Sequence, residues 1–162
     1  MSLPASQHSV GVGGWVVRAD GCVLLVRMTY GPANGRLMIP GGHLDPGELL
    51  HETAVREVRE ETGVDAEPRG LLLVRQRLEQ PLHNLYFVFL MAANIGAGLA
   101  TADGGEVSEA LWVPRDELMS RDDLQPIARE TAEAWLASPD QVIAERAIDW
   151  QDPASYRLWV GA

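Results

Sequence analysis

Three glutamates, Glu57, Glu60 and Glu61, stand at positions i, i+3 and i+4. On a helix this spacing gathers them into one sector about 100° wide. Like charges so close repel by about a few tenths of a kcal/mol per pair on an exposed helix. Two accounts fit them. One is a solvated acidic face, aided by an ordinary i,i+4 ion pair from Glu52 to Arg56. The other is a site for a hard divalent cation, Mg²⁺ with Mn²⁺ as its substitute. Clustered carboxylates without thiolates or several histidines suit such ions. Mg²⁺ takes one or two carboxylates and fills its shell with phosphate oxygens and water. A cation there would neutralise phosphate without any lysine.

The lysine point has force because all 13 basic residues are arginines. That excludes a Schiff-base lysine, a P-loop lysine and a lysine general base. The net charge of −10 argues against a partner with a polymeric nucleic-acid backbone, which needs clustered positive charge. Cys22 stands alone, so neither an intrachain disulfide nor a multi-cysteine zinc site is open to the chain. No apolar run approaches the length of a membrane span. The start, Met1-Ser-Leu-Pro-Ala5, has no basic n-region followed by an apolar stretch, and the expected location is the cytoplasm. A length of 162 residues suits one domain, and residues 1–162 are expected to form it.

Something must hold the glutamates. A helix from about Pro46 to Thr62 is delimited at both ends. Asp45 is the expected N-cap, Pro46 takes the first helical position, and Glu48 completes a capping box. Gly63 suits the left-handed stop. Leu50, Ala54, Val58 and Thr62 form the buried stripe, with the three glutamates largely opposite it. Val10–Arg18 and Cys22–Met28, joined across Asp20-Gly21, read as a hairpin, so the sheet is not purely parallel. Leu37–Ile39, Gly70–Val74 with some extension toward Leu78, Leu85–Met91 and Ala110–Val113 read as further strands. The apolar run Leu85–Met91 suggests a central one. Ile127–Leu136 has helical spacing. The tail after residue 137 carries Trp150, Tyr156 and Trp159 and is expected to dock on the core; a homodimer is the other way to bury such residues.

Residues 42–64, from Gly42-His-Leu-Asp-Pro-Gly-Glu48 through Arg56-Glu-Val-Arg-Glu-Glu-Thr-Gly-Val64, resemble the signature of the Nudix hydrolases at every fixed position. Gly42, Glu48, Arg56, Glu57, Glu60, Glu61 and Gly63 fill the fixed places, and Val58 and Val64 the bulky apolar ones. The order of elements extends the resemblance over about residues 10–137. It implies an α/β fold, an α/β/α sandwich around a mixed β-sheet. It implies Mg²⁺-dependent hydrolysis of a small nucleotide substrate, a nucleoside diphosphate linked to another moiety, of the nucleoside triphosphate or the ADP-ribose and sugar-nucleotide type. The alternative is a non-catalytic nucleotide sensor of the same fold; sensors usually lose box glutamates, and this chain keeps all of them.

The resemblance also implies roles. Glu57 and Glu61 are the first choice of metal ligands, with Glu60 as third member and the Gly41 carbonyl as a backbone ligand. Arg56 orients the carboxylates, with Glu48 as its partner or as the capping acid. The general base is a helix glutamate or a loop acid before the last core strand; Glu106, beside Gly104-Gly105, is preferred to Glu109 as base or further ligand. Arg27 is the expected phosphate contact, with Arg36 and His43 as weaker candidates. Trp15, Tyr30 and Tyr86 are either stacking groups or core and rim. Family members often carry Trp where this chain has Met38, a packing or rim position. Specificity is expected in loops 29–36, 76–84 and 94–106.

Overall fold

The computed structural model describes residues 7–79, 82–98, 100–146 and 158–160. Nine strands and two α-helices appear among them, in the order β1 (Gln7–Val17), β2 (Val23–Met28), β3 (Leu37–Met38), β4 (Gly41–His43), α1 (Leu50–Thr62), β5 (Ala66–Glu79), β6 (Leu82–Ala93), β7 (Val107–Val113), α2 (Pro126–Ala137), β8 (Ala144–Arg146) and β9 (Leu158–Val160). The main sheet runs β3-β2-β1-β6-β5, with β4 added on β1 and β7 on β2. β1 and β6 are parallel from Gln7↔Leu82 to Val17↔Ala92, while the other pairs are antiparallel. The sheet is therefore mixed, and the apolar strand β6 is central as its composition suggests.

Alternation along β1 sorts the core into two layers. Val12 and Val16 face α1, where they pack with Ala54, Val58, Phe89 and Met91. Trp15 faces the opposite way, with Leu25, Val88 and the α2 residues Ala128, Ala132 and Trp135. Helices thus cover both faces, the α/β/α arrangement. α1 approaches β1 closely at Gly14, where an added Cβ would stand 2.5 Å from Met91 Sδ and 2.6 Å from Val58 Cγ2. Trp15 is a core residue, not a stacking group.

Several expected boundaries need correction. α1 starts at Leu50, not Pro46, because Gly47 adopts φ +92°, a left-handed conformation that interrupts a right-handed helix. Asp45–Glu48 form a turn instead, with the Glu48 N–H on the Asp45 carbonyl at 3.1 Å. The capping acid is Glu52, whose carboxylate accepts the Leu49 N–H at 2.8 Å. Glu52 is thereby diverted from the expected pair with Arg56. The other end is as expected: Gly63 sits at φ +68° and donates to the Arg59 carbonyl.

Gly41–His43, beyond the expected strand Leu37–Ile39, makes the short strand β4 against Gly11–Gly13. The expected loop 76–84 is mostly a hairpin, with β5 and β6 paired out to Glu79↔Leu82. In the tail, Trp159 packs edge-on to Phe89 at 5.1 Å between ring centroids. Ile143 and Leu71 exchange backbone hydrogen bonds at 2.8 and 2.9 Å. Trp150 and Tyr156 lie outside the described residues. No helix among the described residues is long and apolar enough to cross a membrane.

Candidate active site

A cleft of about 800 Å³ opens between the acidic side of α1, strand β4, the β5–β6 hairpin and the loops around Tyr30 and Glu106. Glu57, Glu60, Glu61, Arg56, Gly41, His43 and Glu106 all line it. Residues far apart in the sequence are thus brought to one cavity.

The three helix glutamates are not equivalent. Glu61 is buried, with 5% of its surface exposed, whereas Glu60 is exposed and Glu57 is intermediate. The expectation that all three lie opposite the apolar stripe fails at Glu61. It precedes the buried Thr62 by one residue and follows the buried Val58 by three, which sets it at the margin of the stripe. Its carboxylate accepts the Gly41 N–H at 2.9 Å. Burial pushes the Glu61 carboxyl up to about 8 against that hydrogen bond, and the charges of Glu57, Asp103 and Glu106 add to the rise. Burial also raises Glu57, opposed by Arg56 and reinforced by Glu60 and Glu106. Gly42 makes room for Glu57, because a Cβ there would run into its carboxylate.

Arg56 organises this group from behind. Its Nε donates to Glu48 Oε1 at 2.7 Å and its Nη2 to Glu48 Oε2 at 3.0 Å, a bidentate pair. Its Nη1 donates to Glu57 at 2.7 Å and to Glu60 at 3.1 Å, and Nη2 also reaches the His43 carbonyl at 3.2 Å. Glu48 further accepts the Thr53 hydroxyl at 2.9 Å. Arg56 holds the Glu48 carboxyl down at about 2. Glu48 is thus the partner of Arg56 rather than a cap.

Glu106 enters from the loop before β7, where the Tyr30 hydroxyl donates to its carboxylate at 3.1 Å. Asp103 stands near it on the cleft wall. Glu109 is carried elsewhere, pairing with Arg27 at 2.8 Å.

The donor set fits a hard divalent cation. It is all oxygen, and burial with mutual repulsion raises two of its carboxyls, for Glu57 in spite of its pairing with Arg56. No three of the acidic, histidine or cysteine side chains among the described residues already converge in a cage. Instead, Arg56 engages Glu57 and Glu60, and the Gly41 N–H engages Glu61.

Arg27 and Arg36 are not brought into the cleft. The β2–β7 register sets Arg27 opposite Glu109, and its guanidinium donates to Glu109, to Asp123 at 3.1 Å and to the Gly35 carbonyl at 2.9 Å. Arg36 reaches the Leu124 carbonyl at 3.5 Å. Beside Arg56, the positive charge on the cleft wall comes from Arg75 and Arg77, which no sequence motif marks. The register Arg75↔Tyr86 and Arg77↔Asn84 puts the four residues on one face of the hairpin. Arg75 donates to Asn84 and lies over the Tyr86 ring, 5.6 Å from its centroid. The period-two pairing of arginines against Asn84 and Tyr86 was the available signal. Met38 lies on the cleft rim, and Tyr30 and Tyr86 both face the cleft.

Comparison with known proteins agrees with this geometry. A match to the NUDIX domain family spans residues 7–135. The chain is 31% identical over 103 residues to the ADP-ribose pyrophosphatase of Methanocaldococcus jannaschii, covering 62% of this chain and 60% of that protein. It is 36% identical over 98 residues to the human 8-oxo-dGDP phosphatase NUDT18, covering 59% of this chain and 29% of that protein. The chain therefore spans less than two thirds of the length of these relatives. A crystal structure of a MutT NUDIX hydrolase from Burkholderia pseudomallei superposes with a TM-score of 0.66 at 27% identity, covering 79% of this chain and 98% of that one.

Proposed function

The chain belongs to the NUDIX family, and from that membership we propose that it hydrolyses the pyrophosphate linkage of a nucleoside diphosphate joined to another moiety. The observation that carries the reading is the meeting of Glu57, Glu61 and Glu106 on one cleft that Arg75 and Arg77 also line. A water oxygen attacks one phosphorus, the bridging P–O bond breaks, and the water's proton passes to a carboxylate. Two phosphate-terminated products result.

Glu57, Glu60, Glu61, Glu106 and the Gly41 carbonyl would hold Mg²⁺, or Mn²⁺ in its place. Bound there, the cation would offset the diphosphate charge and acidify a water. The rest belongs to the side chains. Arg56 fixes Glu57 and Glu60, and the Gly41 N–H fixes Glu61. Glu106, on a loop next to Gly104-Gly105, can take the proton from the attacking water. Arg75, Arg77 and His43 line the wall where the substrate's remaining charge would lie. The relatives named for 8-oxo-dGDP and ADP-ribose both act on nucleoside diphosphates, which supports that substrate class.

The test is a phosphate-release screen over nucleoside triphosphates, oxidised nucleotides, ADP-ribose and sugar nucleotides, each with Mg²⁺ and with Mn²⁺. Turnover that needs the divalent ion supports the reading. Nucleotide binding without turnover across the whole panel would replace it with the sensor alternative.

A further inference from the structure

Glu106 is held through its main chain as well as its carboxylate. β7 carries a bulge at Ser108: Glu109 stays opposite Arg27, yet Val107 falls opposite Met28, where both are buried. The shift brings Glu106 to Thr29, whose N–H and hydroxyl donate to the Glu106 carbonyl at 3.0 and 2.9 Å. Asp103 Oδ1 accepts the N–H groups of Gly105 and Val107 at 2.9 and 3.1 Å, so the backbone is fixed on both sides of Glu106. The carboxylate needs more than this. Glu106 is exposed, the charges of Glu57 and Glu61 repel it, and a long side chain loses rotamer entropy when it is held in one place. The Tyr30 hydroxyl meets that need, donating to the carboxylate at 3.1 Å from the loop between β2 and β3. Tyr30 lines the cleft and is 53% exposed, so its ring adds little to the core.

We propose that Tyr30 is a positioning residue whose hydroxyl aims the Glu106 carboxylate into the cleft for hydrolysis. The inference rests on the pyrophosphohydrolase reading of the cleft, with Glu106 acting there as base or cation ligand. A phenol is a neutral donor at neutral pH. It restrains the carboxylate against the repulsion of its neighbours and leaves the negative charge free for a proton or a cation. A guanidinium does otherwise: that of Arg27 takes up Glu109 in an ion pair outside the cleft. Aim matters because a reacting carboxylate must stand within hydrogen-bond reach of its partner, and a side chain that changes rotamer spends part of its time elsewhere.

The experiment uses Tyr30→Phe, which removes the hydroxyl and keeps the ring. On the nucleotide of the panel that is turned over fastest, kcat should fall about tenfold with KM within about twofold, the order expected of one hydrogen bond to a charged group. The same change in a Glu106→Ala background should lower kcat no further, because Tyr30 acts through Glu106. A second readout needs neither turnover nor metal. Side-chain NMR couplings of Glu106 in the metal-free protein should report one rotamer in the wild type and averaging in Tyr30→Phe, with the melting temperature unchanged. An equal loss of kcat in both backgrounds overturns the proposal, since Tyr30 would then act on the substrate or on the fold. Unchanged kcat in Tyr30→Phe overturns it, as does one rotamer kept in Tyr30→Phe or averaging already present in the wild type. The wider functional reading fails separately, as wild-type protein without turnover on the nucleotide panel; the couplings then still decide whether Tyr30 holds Glu106.

Discussion

Gly41 donates its backbone N–H to the Glu61 carboxylate at 2.9 Å, tying β4 to the last turn of α1. The bond holds a carboxylate in place that burial would rather keep neutral. It also explains why two glycines precede the helix segment: side chains at Gly41 and Gly42 would collide with the Val12 carbonyl and with Glu57.

Glu57→Gln and Glu61→Gln should each keep the fold and lower kcat at least ~10²-fold, the range typical of groups that stabilise developing charge. In Glu61→Gln the new amide would still offer an oxygen to the Gly41 N–H. Without divalent ions, loss of a crowded negative charge should leave the melting temperature equal or higher. Steady-state kinetics and metal-free melts check both halves; near-wild-type turnover would remove these residues from the site.

Arg56 links four carboxylate-bearing or carbonyl groups through a planar fork, so a lysine cannot replace it. Arg56→Lys should cost about 1–3 kcal/mol of stability and lower activity as well, since Glu48 and Glu57 lose their shared donor. Denaturant unfolding measures the first effect and kcat the second. Unchanged stability would show that the network contributes nothing net.

The helix and its glutamates were legible because their signals are local: Gly63 as stop, the four-residue stripe and the fixed acid spacing. What escaped was set by long-range pairing. Arg27 alternates on β2 as a cleft residue could, but the register with β7 puts it across from Glu109. Arg75 and Arg77 sit where the expected strand extends toward Leu78, but only pairing with Asn84 and Tyr86 shows that they face the cleft. β4 is three residues of Gly-Gly-His with weak β-propensity, formed because Gly11–Gly13 offer it a partner. The N-terminus of α1 was misplaced because Pro46 and Asp45 are good starting residues in isolation, while Gly47 takes a left-handed conformation in the fold.

Arg27 should act on stability, not on substrate. Asp123 accepts from both Arg27 and Arg121, and these donors, Arg121 first, hold its carboxyl at about 2, below its ordinary 3.8. A depressed acid stabilises fully above its unfolded value and loses that contribution as pH falls toward the folded one. The stabilisation, at most about 2 kcal/mol before screening, should therefore fade between about pH 4 and pH 2. Asp123→Asn should remove that part of the acid dependence, and Arg27→Ala should lower the melting temperature with KM unchanged. A raised KM in Arg27→Ala would return Arg27 to the substrate.

Mg²⁺ should bind weakly alone and more tightly with nucleotide, because Arg56 already occupies Glu57 and Glu60 and phosphate oxygens are needed to complete the shell. Calorimetry with and without α,β-methylene-ADP measures the difference. Tight, nucleotide-independent binding would point to a structural ion.

Glu106 and Glu109 lie three residues apart, and the fold separates them. Glu106 faces the cleft with the Tyr30 hydroxyl on its carboxylate, whereas Glu109 is paired with Arg27 outside the cleft. Glu106→Gln should cut kcat strongly and Glu109→Gln only mildly. The form of the loss identifies the role. If Glu106 is the general base, its removal should abolish the acidic limb of the pH–rate profile, because that limb records the protonation of the base. If it is a metal ligand, raising Mg²⁺ should restore part of the rate and leave the limb in place. A Glu106→Gln enzyme that matches the wild type at every pH and Mg²⁺ concentration would exclude both roles. The base would then have to be one of the α1 glutamates, since Arg27 holds Glu109 away from the reacting phosphorus.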